Sequence, residues 1–456
     1  MERMNKPSKL GRRLLLFPAP FHGHLYPMLH LATLLHSKGF SITIIQTPYN
    51  PINPTHFPHF IFRSFYNSLL ESYSKSPPPD SFAVLSVMNN SCSEPFRDCL
   101  SQILHEAEAA AAADKDPIAA LIADPMWKFA GSVATSFSLP RLVLRTGSMS
   151  TLLLYCSLPS IREKGYLPPQ DNRLDELLPD LPPFKVRDLP LEFTHDLLEA
   201  LVQETKTSQG IICNTFEELE DSSIARVHQF LPIPIFPIGP MYKHSPTSAV
   251  SIWEQDQTSI AWLNTQAPKS VLYVSFGSVA AMSKAEFLDL AWGLLESMVP
   301  FLWVVRPGLI QGSEANDSMP EGYLEMVGER GYIVKWAPQI EVLSHPAVGG
   351  FWTHNGWNST LESICEGVPM LCQPIFADQD MNARLVSDGW RIGLKMEKAL
   401  KREDIAREIR KLMLEEEGAQ TRSRITTLKE KATLCLQEGG SSNKAIKSLT
   451  SYLLSF

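Results

Sequence analysis

The chain has 456 residues, of which 44% are apolar and 20% charged, and its formal net charge is −8. That balance describes an ordinary globular protein of two large domains and argues against a nucleic-acid partner, because no Lys/Arg run supplies a basic patch. The seven cysteines are an odd number with no C-x-x-C or metal-ligand spacing, which reads as reduced thiols in the cytosol rather than a disulfide framework.

The N-terminus imitates a secretory leader, with Lys9, Arg12 and Arg13 ahead of Leu14, Leu15, Leu16 and Phe17. Pro18 and Pro20 break that run and no small-residue cleavage pattern follows, so residues 13–17 are expected to be a first strand. No segment approaches the roughly 18–20 apolar residues of a membrane helix. After a loop to Gly23, the spacing of Leu25, Met28, Leu29, Leu31, Ala32 and Leu35 predicts a helix over 24–38. Ser41 to Gln46 then completes a βαβ start, and His59 to Ser64 reads as a third strand. Pro77 to Pro79 mark a loop, and the alanine run 107–113 is simply helix-favouring. Strands follow at Ile118–Ala123, Arg141–Leu144 and Gly210–Cys213, with a Pro- and Asp-rich surface excursion over 165–190 and a helix at Glu217–Phe230. Ile233 to Trp253, rich in Pro, Gly and Ser, is the candidate linker.

Beyond it the α/β pattern restarts, with strands at Val271–Phe276 and Phe301–Val305 around a helix at Lys284–Glu296. The stretch from Trp336 to Gln379 follows. In it, short apolar runs at Ala347–Trp352 and Val368–Leu371 flank His354-Asn355-Gly356-Trp357-Asn358-Ser359 and a helical run that ends at Gly367. A strand that feeds a glycine turn and then a helix aims backbone N–H groups and the positive dipole end at an anion. Charged helices fill 401–436, Gly439 and Gly440 interrupt, and a last helix runs over 443–454.

This stretch resembles the signature box of plant UDP-dependent glycosyltransferases acting on small metabolites. The resemblance rests on the opening Trp336-Ala337-Pro338-Gln339, the central His354-x-Gly356-Trp357-Asn358-Ser359, Glu362, and the closing Asp378-Gln379. A wider likeness covers essentially the whole chain and is nearest the branch that includes the steviol-glycoside glucosyltransferases. One departure is Asn355, where many members carry Cys or Ser. The resemblance implies a GT-B fold, an α/β architecture of two facing Rossmann-like domains with a cleft. It places an acceptor-binding domain at 1–240, completed by the helix in 440–456, a linker at 241–255 and a UDP-sugar domain at 256–439. It further implies an inverting, monomeric, cytosolic glucosyltransferase with no cofactor and no metal.

In open α/β sheets ligands sit beyond the carboxyl ends of the strands. His24 in the loop after the first strand and Asp124 at the end of another can therefore reach one crevice. A His whose far nitrogen meets a carboxylate is a better base; a helix-capping role for both residues is the alternative. The loop Pro18-x-Pro20-x-x-Gly23-His24-x-x-Pro27 resembles the family's base-bearing loop, which makes His24 the base and Asp124 its partner. His22 stands where Gln is common and reads as a loop or acceptor-pocket residue. The resemblance assigns Trp336, Ala337 and Gln339 to the nucleoside, Glu362 to the ribose, and His354, Asn358, Ser359 and Ser278 to the diphosphate. Thr146 is assigned to the neighbourhood of the sugar. Ser359-x-x-Glu362 is equally a capping box.

Asp378 and Gln379 offer acceptors and donors to vicinal sugar hydroxyls, and in the family Gln at that place accompanies glucose. Asp378-Gln379-Asp380 also spells a D-x-D metal–diphosphate motif of another glycosyltransferase fold. The metal reading is set aside because a helix N-terminus and His354 already balance the diphosphate. Phe21, Met88, Met126, Trp127 and Leu201 are candidates for an apolar acceptor pocket. No G-x-G-x-x-G, G-x-x-x-x-G-K-[ST] or G-x-S-x-G occurs, against a dehydrogenase, an NTPase and a serine hydrolase. Two other readings stand beside transfer: a non-catalytic nucleotide-sugar binder and a UDP-sugar epimerase on a similar scaffold.

Overall fold

The computed structural model describes residues 11–75, 81–111, 116–191, 193–244, 256–311, 319–397 and 401–456. The chain divides into two compact units. The first comprises residues 1–157, 193–252 and 435–456, the second 158–192 and 253–434.

The first unit is built on a seven-stranded sheet in the order β3-β2-β1-β4-β5-β6-β7. Its strands are β1 Arg13–Phe17, β2 Ser41–Gln46, β3 Ile61–Ser64, β4 Ile118–Ala123, β5 Arg141–Arg145, β6 Ile211–Cys213 and β7 Ile235–Pro237. Every pairing is parallel, and such a sheet needs cover on both faces, which explains why β1 and β4 read as nearly unbroken apolar runs. On one face Leu14, Leu16, Ile42 and Ile44 pack against Leu25, Met28, Leu31 and Leu35 of the helix His22–Ser37. Ile446, Leu449 and Leu453 of the last helix, Ser441–Leu454, join the same core. On the other face Phe17 stacks between Phe96 at 4.3 Å and Trp127 at 4.6 Å.

The second unit carries a six-stranded parallel sheet, β10-β9-β8-β11-β12-β13. These strands are β8 Val271–Ser275, β9 Phe301–Val304, β10 Gly331–Val334, β11 Val348–Thr353, β12 Met370–Cys372 and β13 Gly393–Lys395. Both sheets start at a central strand, build outward, then reverse, so a topological switch lies between β1 and β4 and between β8 and β11. Rossmann-type sheets bind their ligands at that crevice.

Two expectations are corrected here, and one falls largely outside the described residues. The Pro-rich 233–253 stretch is not all linker, because Ile235–Pro237 adds an edge strand beside β6. Pro is tolerated at a sheet edge, where one side of the backbone needs no donor. The linker called at 241–255 lies largely outside the described residues, which stop at 244 and resume at 256. Finally, residues 158–192 group with the second unit rather than with 1–240; buried ion pairs from Asp188 to Arg384 and Lys395 hold them there.

Candidate active site

At the first unit's switch point, β1 leads to the helix His22–Ser37 and β4 ends just before Asp124. His24 thus sits in the first turn of that helix, not in a preceding loop, because the helix begins two residues earlier than the apolar spacing signals. Its N-cap, Phe21, makes no side-chain cap bond. His24 Nδ1 lies 2.6 Å from Asp124 Oδ2 and 3.1 Å from Thr146 Oγ1. A carboxylate only accepts, so the imidazole proton is on Nδ1 and Nε2 carries the basic lone pair. The Asp124 side chain is fully buried, and its Oδ1 is fixed by the backbone N–H of Met126 at 3.0 Å. The His24 side chain is 22% exposed, enough for an acceptor to reach it.

Thr146 follows β5 and stands against His24 in the first unit, a placement the motif alone did not disclose. Of the five acceptor-pocket candidates, only Phe21 and Met126 are partly buried at the edge of this cluster. Phe21 has its ring 6.2 Å from His24 and 6.4 Å from Tyr49. Met88 and Trp127 are fully covered and Leu201 nearly so, so these three serve the core and present nothing to an acceptor. The His22 ring stacks on Tyr26 at 5.9 Å.

The second unit assembles the box. β11 delivers His354 and Asn355, and Gly356 is the N-cap of the helix Trp357–Glu366. Asn355 has φ +62, the left-handed region in which Asn is enriched among non-glycine residues. The turn is pinned by Asn355 N–H to Thr353 Oγ1 at 3.1 Å and by Asn382 Nδ2 to Asn355 O at 3.0 Å. Gly356 contributes no capping side chain, and the first helical turn has no acidic residue, so its dipole end keeps its appeal for an anion. Gly356 and Gly277 (φ +69) both lie against the His354 ring, where a Cβ would come within 2.7 Å and 2.6 Å of it. Ser278 is in the same turn after β8 as Gly277. Trp357 is 4% exposed and faces Trp390 at 6.3 Å, so its indole is packed away and not presented in the turn.

The capping box at Ser359 and Glu362 does not form. With Gly356 as N-cap these residues fall a turn too late, and both accept from the Gln339 amide instead, at 2.9 Å for Ser359 Oγ and 2.7 Å for Glu362 Oε2. Tyr273 on β8 donates to Gln339 Oε1 at 3.3 Å and fixes the orientation of that amide. Trp336 and Ala337 precede the helix Gln339–Ser344, Trp336 half-buried and Ala337 buried. Beyond β12, Asp378 is the N-cap of the helix Gln379–Arg384, and its Oδ2 accepts from Asn382 Nδ2 at 3.2 Å. Asp380 accepts instead from Lys395 at 2.9 Å; the two carboxylates of the D-x-D thus serve different partners.

The electrostatics shift one expectation. Burial, with the Arg306 charge adding to it, pushes His354 down to about 4 against a partial rise from the Ser275 backbone. His354 is therefore neutral near pH 7 and contributes hydrogen bonding rather than positive charge. The cation in this turn is Arg306, which burial lowers only to about 10. It donates to Gly277 O at 2.7 Å and also to Ala280 O, clamping the Ser278 turn. Tyr273, Arg306 and Asn382 escaped notice in the sequence because none belongs to a motif; each lies in or just after an apolar run or a helix whose pattern is explained by packing.

A family model described as UDP-glucoronosyl and UDP-glucosyl transferase matches residues 61–429. UDP-glycosyltransferase 76B1 of Arabidopsis thaliana is 43% identical over 449 residues, covering 97% of this chain and 98% of its own. UDP-glycosyltransferase 76G1 of Stevia rebaudiana is 43% identical over 454 residues, 97% of each chain. Among solved structures, a UDP-glucosyltransferase from Polygonum tinctorium capable of glucosylating indoxyl superposes with TM-score 0.81 at 28% identity, covering 99% of this chain and 100% of that one. Phytolacca americana UGT2, complexed with UDP-2fluoro-glucose and pterostilbene, gives 0.78 at 28% identity over 98% and 100%. Matched along most of its length by the family and nearly end to end by plant enzymes, the chain belongs to the UDP-glycosyltransferases, GT-B in fold and transferases in activity.

Proposed function

We propose that the protein transfers glucose from UDP-glucose to a hydroxyl or carboxyl group of a small lipophilic metabolite, with inversion at the anomeric carbon. The observation that carries the reading is the His24–Asp124 pair at 2.6 Å, set at the switch point of the first sheet. His24 Nε2 takes the acceptor proton while Asp124 holds the proton on Nδ1 and stabilises the imidazolium that forms. The acceptor oxygen forms a bond to the anomeric carbon as the bond from that carbon to UDP breaks, and the electron pair leaves on the diphosphate. The N-terminus of the Trp357–Glu366 helix meets that growing charge. Since backbone donors are available there, with the buried Arg306 charge behind the Gly277 turn, the reaction as proposed needs no metal and no cofactor.

Uridine is assigned to Trp336, Ala337 and Gln339, ribose to Glu362, diphosphate to Ser278, His354, Asn358 and Ser359, and glucose to Asp378 and Gln379. The Gln379 amide supports glucose: its Oε1 is taken by the backbone N–H groups of Ile375 and Phe376, at 2.9 and 3.1 Å, which leaves the NH2 to donate to a hydroxyl. Phe21 and Met126 beside the base favour an apolar acceptor, in keeping with pterostilbene and indoxyl in the relatives' descriptions. A monomer working in the cytosol fits the seven free cysteines; among the described residues no helix is long and apolar enough to cross a membrane.

The test is an assay of UDP-glucose with a panel of lipophilic alcohols, phenols and acids, products identified by mass and anomeric configuration by NMR. His24→Ala and Asp124→Asn are each expected to lower turnover on a hydroxyl acceptor by about 10²–10⁴-fold. Full turnover in both variants would show that the base lies elsewhere. Conversion of UDP-glucose to an isomeric UDP-sugar, with no acceptor present and no UDP released, would indicate epimerisation instead.

A further inference from the structure

Asp188 closes the short turn Val186–Asp188 in the 158–192 excursion and is 1% exposed. Four donors converge on its carboxylate. Oδ2 accepts from Arg384 Nε at 2.8 Å and from the Lys185 backbone N–H at 2.9 Å. Oδ1 accepts from Arg384 Nη2 at 3.1 Å and Lys395 Nζ at 3.3 Å. Arg384 is the last residue of the helix Gln379–Arg384 and also donates to Asp388 at 2.9 Å. Lys395, at the end of edge strand β13, reaches from Asp188 to Asp380, the second residue of the same helix. One buried carboxylate therefore grips this short helix at its C-terminus through a two-pronged arginine, and near its N-terminus through a lysine bridge.

That N-terminus carries Asp378 and Gln379. The Gln379 amide is oriented by the backbone N–H groups of Ile375 and Phe376 in the turn before this helix, so the direction of its NH2 depends on how the helix is seated against that turn. An apolar contact would hold the helix at least as stably as a buried ion cluster, whose charges must be desolvated. What the ion cluster adds is direction: a bidentate guanidinium–carboxylate pair fixes rotation as well as distance.

We propose that Asp188 is a positioning residue for the donor sugar: through Arg384 and Lys395 it aligns Asp378 and Gln379, and so governs affinity for the glucosyl half of the donor more than for the UDP half. The proposal rests on the assignment of Gln379 to glucose. None of the charged residues of this network bonds to Trp336, Gln339 or Glu362, assigned to the nucleoside. The steered helix reaches the UDP side at the diphosphate turn, through Asn382 to Asn355 O at 3.0 Å, so the UDP half should respond less than the glucosyl half.

Calorimetric titration of the full chain with UDP and with UDP-glucose tests it. Asp188→Asn and Lys395→Met are each expected to lower UDP-glucose affinity about tenfold and UDP affinity by clearly less, because displacing a positioned group costs most where that group makes its contact. Lys395→Arg should restore most of the loss. Lys395 is 18% exposed, so Lys395→Met carries the test should Asp188→Asn fail to fold. A parallel fall for UDP and UDP-glucose, or an unchanged ratio in folded Lys395→Met, overturns the role. Gln379→Ala separates the two levels. Unaltered UDP-glucose affinity there removes the glucose assignment and this role with it, whereas a loss there but not in Lys395→Met removes the role alone.

Discussion

Glu362 is a carboxyl that burial pushes up to about 7, with the Gln339 amide opposing the rise and Glu366 adding to it. In the proposed role, accepting both ribose hydroxyls favours its ionised form, whose two oxygens only accept. Below pH 7 the nucleotide must therefore displace a proton, and UDP affinity should rise with pH up to about 7 and then level off, at most about tenfold per unit below that point. The phosphate of UDP titrates nearby, at about 6, so the comparison is with Glu362→Gln, which should lose this part of the pH dependence. Proton release measured by calorimetry in two buffers decides it; identical pH profiles for both proteins would remove Glu362 from the ribose. Gly356 makes a second demand at this scale. A Cβ there would lie 2.7 Å from His354 Nε2, and forcing the imidazole aside should cost about 1–3 kcal/mol of stability. Gly356→Ala should accordingly melt lower and bind UDP more weakly, both readable from thermal denaturation with and without the nucleotide.

Two helices of the second unit act together because one amide joins them. Gln339 opens one helix and bonds Ser359 and Glu362 on the other. Its amide also lowers the Glu362 pKa. Gln339→Ala should thus raise the midpoint of the pH dependence above about 7 and weaken UDP binding at neutral pH, because more of the carboxyl is protonated. Titration of UDP affinity from pH 6 to 9 checks the direction. The same pair shows where local pattern misleads. Ser359-x-x-Glu362 has the spacing of a capping box, yet the helix starts at Trp357 and both side chains turn to Gln339. A capping motif is a statement about where a helix begins, and here a glycine whose neighbour His354 requires open space sets the start instead.

Across the molecule, the two units differ in how they are closed. The first depends on the chain's last helix, whose Leu449 and Leu453 are fully buried with Leu14, Leu16 and Leu31. Leu449→Ala should lower stability by about 2–5 kcal/mol through lost burial and the cavity left behind. Because the residues proposed for uridine and ribose belong to the second unit, UDP affinity below the melting transition should stay as it is in the parent protein. Denaturant unfolding followed by titration of the folded variant tests both halves of that statement.

Much of the fold was legible because parallel strands buried on both faces leave an unmistakable record. β1, β2 and β4 coincide with the strands expected at 13–17, 41–46 and 118–123. Short edge strands such as Ile235–Pro237 and Gly393–Lys395 were not legible, since three residues beside a proline or a glycine carry no periodicity. Of the site, the sequence by itself determined the chemical types, a histidine with a distant aspartate and a glycine turn leading into a helix, because each is a local pattern or a strand-end residue. Only the tertiary structure decided which groups share a proton or a charge. Asp124 and Thr146 meet at one nitrogen of His24, His354 is neutral beside Arg306, and Asp188 steers a helix almost 200 positions away through Arg384. Such pairings join residues far apart in the chain, and their strength is set by burial, which no short stretch of residues encodes.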